Sequence, residues 1–435
     1  MELKPGYKQT EVGVIPEEWD TAPCSEVSER IMVGIVIRPT QYYVNNGVPA
    51  FRSANIREEG INDLDLVFIS EESNAVLAKS QTQTGDVLTV RTGYPGTSAV
   101  VYSRHEGCNC IDILITRPSK KLDSEWLAIW INSPFGKEQV LRNQGGLAQK
   151  HFNVGDMRNL VVALPPLSEQ RAIAAALSDV DGLLGGLDRL IAKKRDLKQA
   201  AMQQLLTGQT RLPGFEGEWE VKRLGSLLHK GRLGGNYANQ DEEAELPLMK
   251  MGNLARGYFD LSKVQFITPG SVPDVTHRLV FGDVLFNTRN TLDLVGKVAI
   301  WRDELPVAYY NSNLMRLEFD PEQVCSNQYA NYALNTDSAV SGLRGLATGT
   351  TSVAAIYTRD LMKLQIIVPP LPEQTAIAEV LTEMDAELAT LTQRREKTRV
   401  LKQAMMQELL TGRTRLEGCL ADVGNGQATA QESHA

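Results

Sequence analysis

Apolar residues recur at alternating intervals of four and three in two stretches of the chain. The first stripe consists of Ile173, Leu177, Val180, Leu184, Leu187 and Ile191, and the second of Ile377, Leu381, Met384, Leu388 and Leu391. This spacing places one apolar stripe along an α-helix and is typical of the seam of a coiled coil. The pattern therefore predicts two long helices that pack against each other.

The residues that flank each stripe predict where the two helices begin and end. A Pro-Pro pair precedes each stripe, where proline is tolerated, and Gly208 and Gly412 follow as stop signals. Glu169 and Glu373 fall near the helix starts, where a carboxylate suits the helix dipole. Each helix would have about 39 residues and a length of roughly 58 Å.

The two helical stretches belong to an internal repeat. Residues 164–212 align with residues 368–416 at a constant offset of 204, with 27 identities in 49 positions. The segments that precede them are related only faintly: residues 48–57 echo 246–255, and GDVL occurs twice, followed each time by an arginine, Arg91 or Arg289. The chain is therefore a duplication in which the globular parts have diverged.

The repeat predicts an α/β (α+β) architecture in which two globular domains are separated by two long antiparallel coiled-coil helices. Helix one leaves the first domain and reaches the second, so helix two has to return beside it. The result would be a dumb-bell with a pseudo-twofold axis. The predicted segments are a first domain at 1–163, a first spacer helix at 164–212, a second domain at 213–367, a second spacer helix at 368–416 and a disordered tail at 417–435.

Composition narrows the class of protein. Of the 435 residues 42% are hydrophobic and 23% charged, as in an ordinary soluble globular protein. No run approaches the roughly 20 apolar residues of a membrane span, and the polar N-terminus has no signal-peptide core, so we expect a cytoplasmic protein. The net charge of −8 argues against a nonspecific nucleic-acid coat but permits local basic patches.

Sequence signatures of catalysis were sought and not found. The chain has no phosphate-binding loop, no dinucleotide-binding glycine motif and no nucleophile elbow. His105, Cys108, Cys110 and Asp112 cluster, but a zinc site normally needs two ligand pairs and no second pair is evident. We therefore expect no catalytic residue and no metal ligand in this chain.

The duplicated (L/V)PPL-x-EQ-x-A-I-A segment, the later LKQA-x-MQ-x-LLTG-x-TRL and the opening GYKQTEVGVIPEEW are together distinctive. In these motifs the chain resembles the specificity subunit of type I DNA restriction–modification systems. The resemblance covers most of the chain, because the order, the lengths and both repeats fit.

The resemblance implies a non-catalytic subunit whose two target recognition domains each read one half of a bipartite, asymmetric sequence in double-stranded DNA. It also implies that the helices bind two modification subunits, which methylate adenine at N6, and that restriction subunits join the complex as ATP-dependent translocase and nuclease. S-adenosylmethionine, ATP and Mg would bind to those partners, and this chain would bind no cofactor.

Other functions stay open at this stage. The chain could target methylation alone, without a restriction partner, or it could be a coiled-coil scaffold that never reads DNA. A self-sufficient nuclease or methyltransferase is disfavoured by the missing motifs.

Candidate base-reading residues were sought in polar, glycine-rich loops that carry side chains able to bind base edges. For the first domain we predict Arg91, Tyr94, Gln149, Lys150 and His151. For the second domain we predict Arg289, Asn290, Thr350, Thr351 and Ser352. Ordinary exposed turns are the alternative for each of these residues.

Overall fold

The structure is a computed structural model of the chain, and it describes residues 5–142 and 151–416. The predicted tail at 417–435 lies outside the described residues. The chain divides into two compact units: unit 1 comprises residues 1–187 and 394–435, and unit 2 comprises residues 188–393. Each unit thus contains one globular domain and half of each long helix.

The globular domain of unit 1 is made of short strands and short helices. Its strands are β1 (Tyr7–Thr10), β2 (Gly13–Pro16), β3 (Asp20–Pro23), β4 (Ser28–Val33), β5 (Tyr43–Val44), β6 (Val48–Phe51), β7 (Ile56–Arg57), β8 (Gly60–Ile61), β9 (Val67–Ile69), β10 (Val87–Val90), β11 (Ser98–Val100), β12 (Asn109–Cys110), β13 (Ile113–Pro118) and β14 (Val161–Leu164). Its α-helices are α1 (Cys24–Val27), α2 (Glu71–Val76), α3 (Ser124–Asn132), α4 (Pro134–Arg142) and α5 (Val154–Asn159), followed by the long helix α6 (Leu167–Leu205).

The globular domain of unit 2 has the same kind of elements. Its strands are β15 (Glu220–Arg223), β16 (Leu228–Leu233), β17 (Asn239–Gln240), β18 (Pro247–Met249), β19 (Gln265–Ile267), β20 (Val284–Asn287), β21 (Arg289–Asn290), β22 (Val298–Ile300), β23 (Tyr309–Tyr310), β24 (Leu314–Phe319), β25 (Thr348–Gly349), β26 (Ala354–Ala355) and β27 (Gln365–Val368). Its α-helices are α7 (Asn327–Leu334), α8 (Asp337–Leu346) and α9 (Thr358–Leu361), followed by the long helix α10 (Leu371–Leu409).

The two globular domains share one topology although their sequences have diverged. Unit 1 has a four-stranded sheet in the order β11-β10-β13-β4, and unit 2 repeats it as β22-β20-β24-β16. A second sheet runs β12-β6-β9-β5 in unit 1 and β23-β18-β19-β17 in unit 2, with its first pair parallel in both. The sequence predicted the duplication, and the strand order shows that it includes both four-stranded sheets of each domain.

The faintest part of the repeat, residues 48–57 and 246–255, preserves a buried asparagine. The side-chain amide of Asn55 donates to two carbonyls of the following turn, at 3.1 and 2.8 Å. Asn253 does the same at 3.0 and 2.8 Å, and each asparagine oxygen accepts the backbone N–H three residues earlier. A buried amide needs such partners, so this turn has the same form in both domains.

Each domain also keeps one glycine where two backbone segments touch. A Cβ on Gly34 would lie 2.2 Å from the carbonyl oxygen of Cys110, and a Cβ on Gly234 would lie 2.2 Å from that of Tyr310. Neither position has room for any other residue.

The long helices α6 and α10 have 39 residues each, as predicted, and α6 continues without a break through Gly182, Gly185 and Gly186. In the described part of the chain no helix has an apolar stretch long enough to cross a membrane.

The two helices pair in both units, and their contacts confirm the predicted antiparallel direction. In unit 1 the start of α6, with Ile173 and Leu177, shares a core with Leu409 at the end of α10. In unit 2 the start of α10, with Ile377 and Leu381, shares a core with the end of α6. None of the eleven predicted seam residues is exposed. The dumb-bell shape itself stays a prediction.

Ion pairs between α6 and α10 show the same antiparallel pairing in both units. In unit 1 the ammonium of Lys402 lies 2.6 Å from the carboxylate of Asp181. In unit 2 the ammonium of Lys198 lies 2.5 Å from the carboxylate of Asp385. The two pairs are related by the 204-residue offset, because each joins equivalent positions with the two copies interchanged.

Candidate nucleic-acid interface

Two loops of the first domain meet at Arg91 and Phe152. The backbone N–H of Phe152 donates to the carbonyl of Arg91 at 3.2 Å, and the Nε of Arg91 donates back to the carbonyl of Phe152 at 3.3 Å. The β10–β11 hairpin loop is thereby joined to the segment that precedes α5. The structure thus brings together the two loops from which readers of the first half-site were predicted.

The side chain of Arg91 is used inside the domain. Its guanidinium forms an ion pair with the carboxylate of Asp112, and only 15% of the side chain is exposed. Asp112 has a left-handed backbone, with φ at 52°, a conformation that costs energy for a residue other than glycine. In this arrangement Arg91 fixes the position of both loops, and its role as a base reader stays a prediction.

The equivalence of Arg91 and Arg289 suggested by the sequence is wrong. The carbonyl of Thr288 accepts the backbone N–H of Ile356 at 2.9 Å, just as that of Arg91 accepts the N–H of Phe152. Arg91 therefore corresponds to Thr288, and Arg289 lies one residue further along. The same register follows from counting along the chain, because Arg91 is the third residue after its GDVL motif and Arg289 is the fourth after the other.

Of the remaining candidates of the first domain, two are exposed and two lie outside the described residues. The Tyr94 side chain is 80% exposed at the tip of the β10–β11 loop, and His151 is exposed as well. Gln149 and Lys150 lie outside the described residues. Tyr94 and His151 are therefore available to a ligand.

The candidates of the second domain come together in one small sheet. Strand β26 pairs with β21, so that Arg289 lies opposite Ala355, and also with β25. The backbone N–H of Leu292 donates to the carbonyl of Thr351 at 3.1 Å, which links the two loops further. The exposed candidates are Arg289, Thr350, Thr351 and Ser352, whereas Asn290 is half-buried.

Unlike the side chain of Arg91, the side chain of Arg289 is exposed to solvent. No acidic side chain of the described residues forms an ion pair with its guanidinium. An exposed guanidinium presents a planar set of donors that matches the O6 and N7 acceptors of guanine. The loop after β20 therefore presents a cation to solvent, whereas the loop after β10 presents Tyr94.

The cysteine cluster of the first domain is not assembled for metal binding. Nε2 of His105 lies 2.7 Å from the carboxylate of Asp63, and Cys108 and Cys110 are buried. Burial raises the pKa of the Cys108 thiol to about 11. The described residues contain no group of three or more His, Cys, Asp or Glu side chains that could hold a metal ion.

Comparison with known proteins gives two matches to one family model. Residues 16–191 and 216–400 each match the type I restriction modification DNA specificity domain. Together these stretches cover most of the chain, and each contains all or most of one globular domain and the first part of the long helix that follows it. The chain belongs to the type I restriction–modification specificity family.

Curated relatives of this family match the chain over most of its length. The EcoKI specificity subunit of Escherichia coli (strain K12) is 22% identical over 401 residues, which cover 87% of this chain and 84% of that protein. The MjaVIII specificity subunit of Methanocaldococcus jannaschii is 23% identical over 433 residues, covering 93% and 94%.

Solved structures show the same fold. The specificity subunit of a type I restriction–modification system from M. genitalium superposes with a TM-score of 0.59 at 13% identity, covering 94% of this chain and 98% of that one. A chain from a study of complex assembly in a type I system gives a TM-score of 0.54 at 20% identity, covering 92% and 99%.

The motif PPL-x-EQ that marks this family in the sequence has a structural role in the chain. The carboxylate of Glu169 is buried and accepts two hydrogen bonds from the guanidinium of Arg415, at 2.7 and 2.9 Å, and one from Trp19 Nε1 at 3.1 Å. Glu373 accepts the same set from Arg211, at 2.9 and 2.5 Å, and from Trp219 at 3.0 Å. We name these two groups of three residues the clasps.

The glutamine of the same motif anchors the start of each helix. The side-chain amides of Gln170 and Gln374 each donate to a carbonyl just before the helix and to a carbonyl of the domain, and each side-chain oxygen accepts one domain N–H. The partners are Pro165, Lys121 and Asp123 for Gln170, and Pro369, Gln323 and Cys325 for Gln374.

The sequence alone does not indicate these roles. It places Glu169 and Glu373 where a carboxylate suits the helix dipole, and it suggests no role for the arginines of the two TRL motifs. One signal was present: the paired tryptophans of PEEWD and EGEWE recur with the repeat, and a buried indole N–H needs an acceptor.

Proposed function

We propose that this chain is the DNA sequence-recognition subunit of a type I restriction–modification complex. Each globular domain would read one half of a bipartite site. The observation that carries this proposal is that two domains of one topology present different side chains at equivalent loops. Bases are read by side chains at their edges, so two different loop sets call for two different half-sites.

The difference between the domains supports an asymmetric target. At equivalent backbone positions the first domain has Arg91, which is bound to Asp112, and the second has Thr288, beside the exposed Arg289. An inverted pair of identical readers would select a palindrome, because protein twofold symmetry matches the dyad of duplex DNA. Diverged readers would select two unlike half-sites.

The long helices are proposed to recruit the partners, which are two modification subunits and, with them, restriction subunits. Leu190 and Leu197 of α6 are seven residues apart, and their exposed fractions are 39% and 47%. Heptad spacing on an exposed face suits a further helix packed alongside. The partners would bind S-adenosylmethionine, ATP and Mg, and the complex would work in the cytoplasm.

The chain itself is proposed to be non-catalytic. The purified chain is tested for methyl transfer to duplex DNA alone and after addition of its modification subunit. We expect adenine-N6 methylation only with both present, and at defined sequences. Turnover of S-adenosylmethionine by the chain alone would contradict the proposal, and methylation without sequence preference would favour a scaffold.

Adding the restriction subunit distinguishes a restriction–modification subunit from a subunit that targets methylation alone. Cleavage of unmodified DNA that depends on ATP and on this chain supports the full restriction–modification role. Methylation without cleavage supports the methylation-only alternative.

A further inference from the structure

Three cationic side chains of the second domain lie close together. Arg256 is in the turn that follows Asn253, Lys297 immediately precedes β22, and Arg344 is in the last turn of α8. Among the described residues none of the three forms an ion pair. Arg256 and Lys297 are half-buried, and Arg344 is exposed.

The charges of this cluster act on one another. Burial and then the neighbouring Arg344 lower the pKa of the Arg256 guanidinium. Burial and then Arg256 lower the pKa of the Lys297 ammonium. Asp260 raises the pKa of Lys297 and offsets part of this lowering, while its carboxylate also accepts the backbone N–H of Ser262 at 2.9 Å.

One nitrogen of the cluster lacks any hydrogen-bond partner. Nη1 of Arg256 is buried and no acceptor of the described residues reaches it. A buried donor of a charged group without an acceptor is costly, so such a group calls for a partner such as water or a bound anion. An oxyanion would both satisfy this donor and relieve the repulsion between the cations.

At the positions equivalent to Arg256, Lys297 and Arg344 the first domain has different residues. The turn pair Ile56–Ile61 corresponds to Leu254–Phe259, which makes Glu58 the equivalent of Arg256. The carboxylate of Glu58 accepts a hydrogen bond from Lys137 of α4 at 2.5 Å. The same turn therefore meets the same helix through attraction in the first domain and through repulsion in the second.

The first-domain equivalents of Lys297 and Arg344 follow from one packing contact. Gly96 and Gly296 both have positive φ and pack on equivalent helix residues, Val140 and Leu343. It follows that Thr97 corresponds to Lys297 and that Leu141 corresponds to Arg344. In the first domain Glu58 and Thr97 line one cleft together with Tyr94.

We propose that Arg256, Lys297 and Arg344 bind one backbone phosphate of the DNA half-site read by the second domain. This inference rests on the proposed function. Lys297 ends the loop that carries Arg289, and Arg344 lies just before β25, so the cluster adjoins both predicted reading loops. Phosphate contacts of this kind fix the register of a protein on the duplex and carry no base preference.

The test uses the full chain assembled with its modification subunits, on a DNA duplex that carries the sequence which this complex recognises and methylates. Affinity is measured against salt concentration for the parent and for Arg344→Gln, Lys297→Gln and the triple variant that adds Arg256→Gln. The matched control is Arg223→Gln, an exposed arginine of β15 in the same unit. Arg344→Gln alters only an exposed side chain, so it keeps the test valid if the triple variant is poorly folded.

For the triple variant we expect the slope of log K against log salt to fall by about 0.9, the value for one phosphate contact. Arg344→Gln should shift the slope in the same direction, and the control should keep the parent slope. The recognised bases should stay unchanged in every variant.

A second measurement follows Lys297 directly. Its amine is acylated in the full complex and quantified by mass spectrometry, with exposed Lys230 as the reference. We expect duplex DNA to protect Lys297, and the Arg344→Gln variant to lose part of that protection.

Parent slopes and no protection of Lys297, in a complex that still binds its sequence, would overturn this inference alone. A changed second half-site would also overturn it, since the cluster would then read bases. A parent complex that binds no DNA would overturn the proposed function and this inference together.

Discussion

The guanidinium of Arg415 binds the buried carboxylate of Glu169 through two hydrogen bonds, although 246 residues separate them in the chain. Arg211 and Glu373 make the equivalent contact in unit 2. Each glutamate starts one helix and each arginine follows the end of the other. In each unit the glutamate of one copy of the repeat therefore binds the arginine of the other copy. This mutual contact explains why the short segments of the repeat stayed alike while the globular parts diverged.

The first prediction concerns this clasp. Arg415→Ala leaves the Glu169 carboxylate buried without its cation, and breaking such a pair typically costs about 3–5 kcal/mol. We expect a lower unfolding temperature of unit 1, measured by calorimetry. Arg413→Ala, which removes an exposed arginine two residues earlier, is the matched control and should have little effect. Equal stability of the two variants would mean that the clasp does not stabilise the unit.

The second prediction concerns the seam of the helices. Leu184 and Leu388 are equivalent by the repeat and partly buried, so aspartate at both positions places carboxylates in an apolar seam. We expect loss of folded protein or of complex assembly, followed by circular dichroism and size-exclusion chromatography. Gln199 and Gln403 are also equivalent by the repeat but exposed, and aspartate there should be tolerated. If both double variants behave alike, the seam lies elsewhere on the helices.

The third prediction separates reading from positioning. Arg289→Ala should relax the second half-site only, because a lost bidentate base contact costs about 1–3 kcal/mol at that base. Tyr94→Ala should affect only the first half-site. Arg91→Ala should weaken binding through the first domain as a whole, since the ion pair with Asp112 holds its loops. The measurement is the methylated motif of each variant, and a change in the half-site opposite to the mutated domain would refute the assignment.

The fourth prediction concerns helix length. An insertion at the end of α6 would disturb folding, because Leu205 and Leu206 are part of the buried core of unit 2. The insertion is therefore better placed between Leu187 and Asp188, at the boundary of the units, with a matching insertion between Gln393 and Arg394.

Four residues add about 6 Å of helix, and about 40° beyond a full turn. DNA advances about 3.4 Å and turns about 34–36° per base pair, so one or two base pairs absorb both displacements. We expect the same half-sites with a spacer one or two base pairs longer. Full activity with an unchanged spacer would show that the helices do not set the distance.

The long-range organisation could be predicted from the sequence because it depends on periodicity. The 4-3 stripes around Leu177 and Leu381 predicted both helices, and the 204-residue repeat predicted their antiparallel pairing. Periodic burial of apolar residues is a local property, and a single sequence reveals it.

The site was less predictable because its contacts are not local. The partner of Glu169 is 246 residues away, and the ion pair between Arg91 and Asp112 depends on a turn with left-handed backbone at Asp112. Beyond Arg91 and Thr288 the two loops differ in length, since the offset between the copies changes from 197 at GDVL to 200 at Gly96 and Gly296. None of these features leaves a periodic signal in the sequence.

The most direct test of the central claim is methylome sequencing of a host that expresses this chain with its modification subunits, beside a host that lacks only this chain. The account predicts one chain-dependent motif with two unlike half-sites, a fixed spacer and one methylated adenine on each strand. A continuous or palindromic motif, or methylation that persists without the chain, would contradict it.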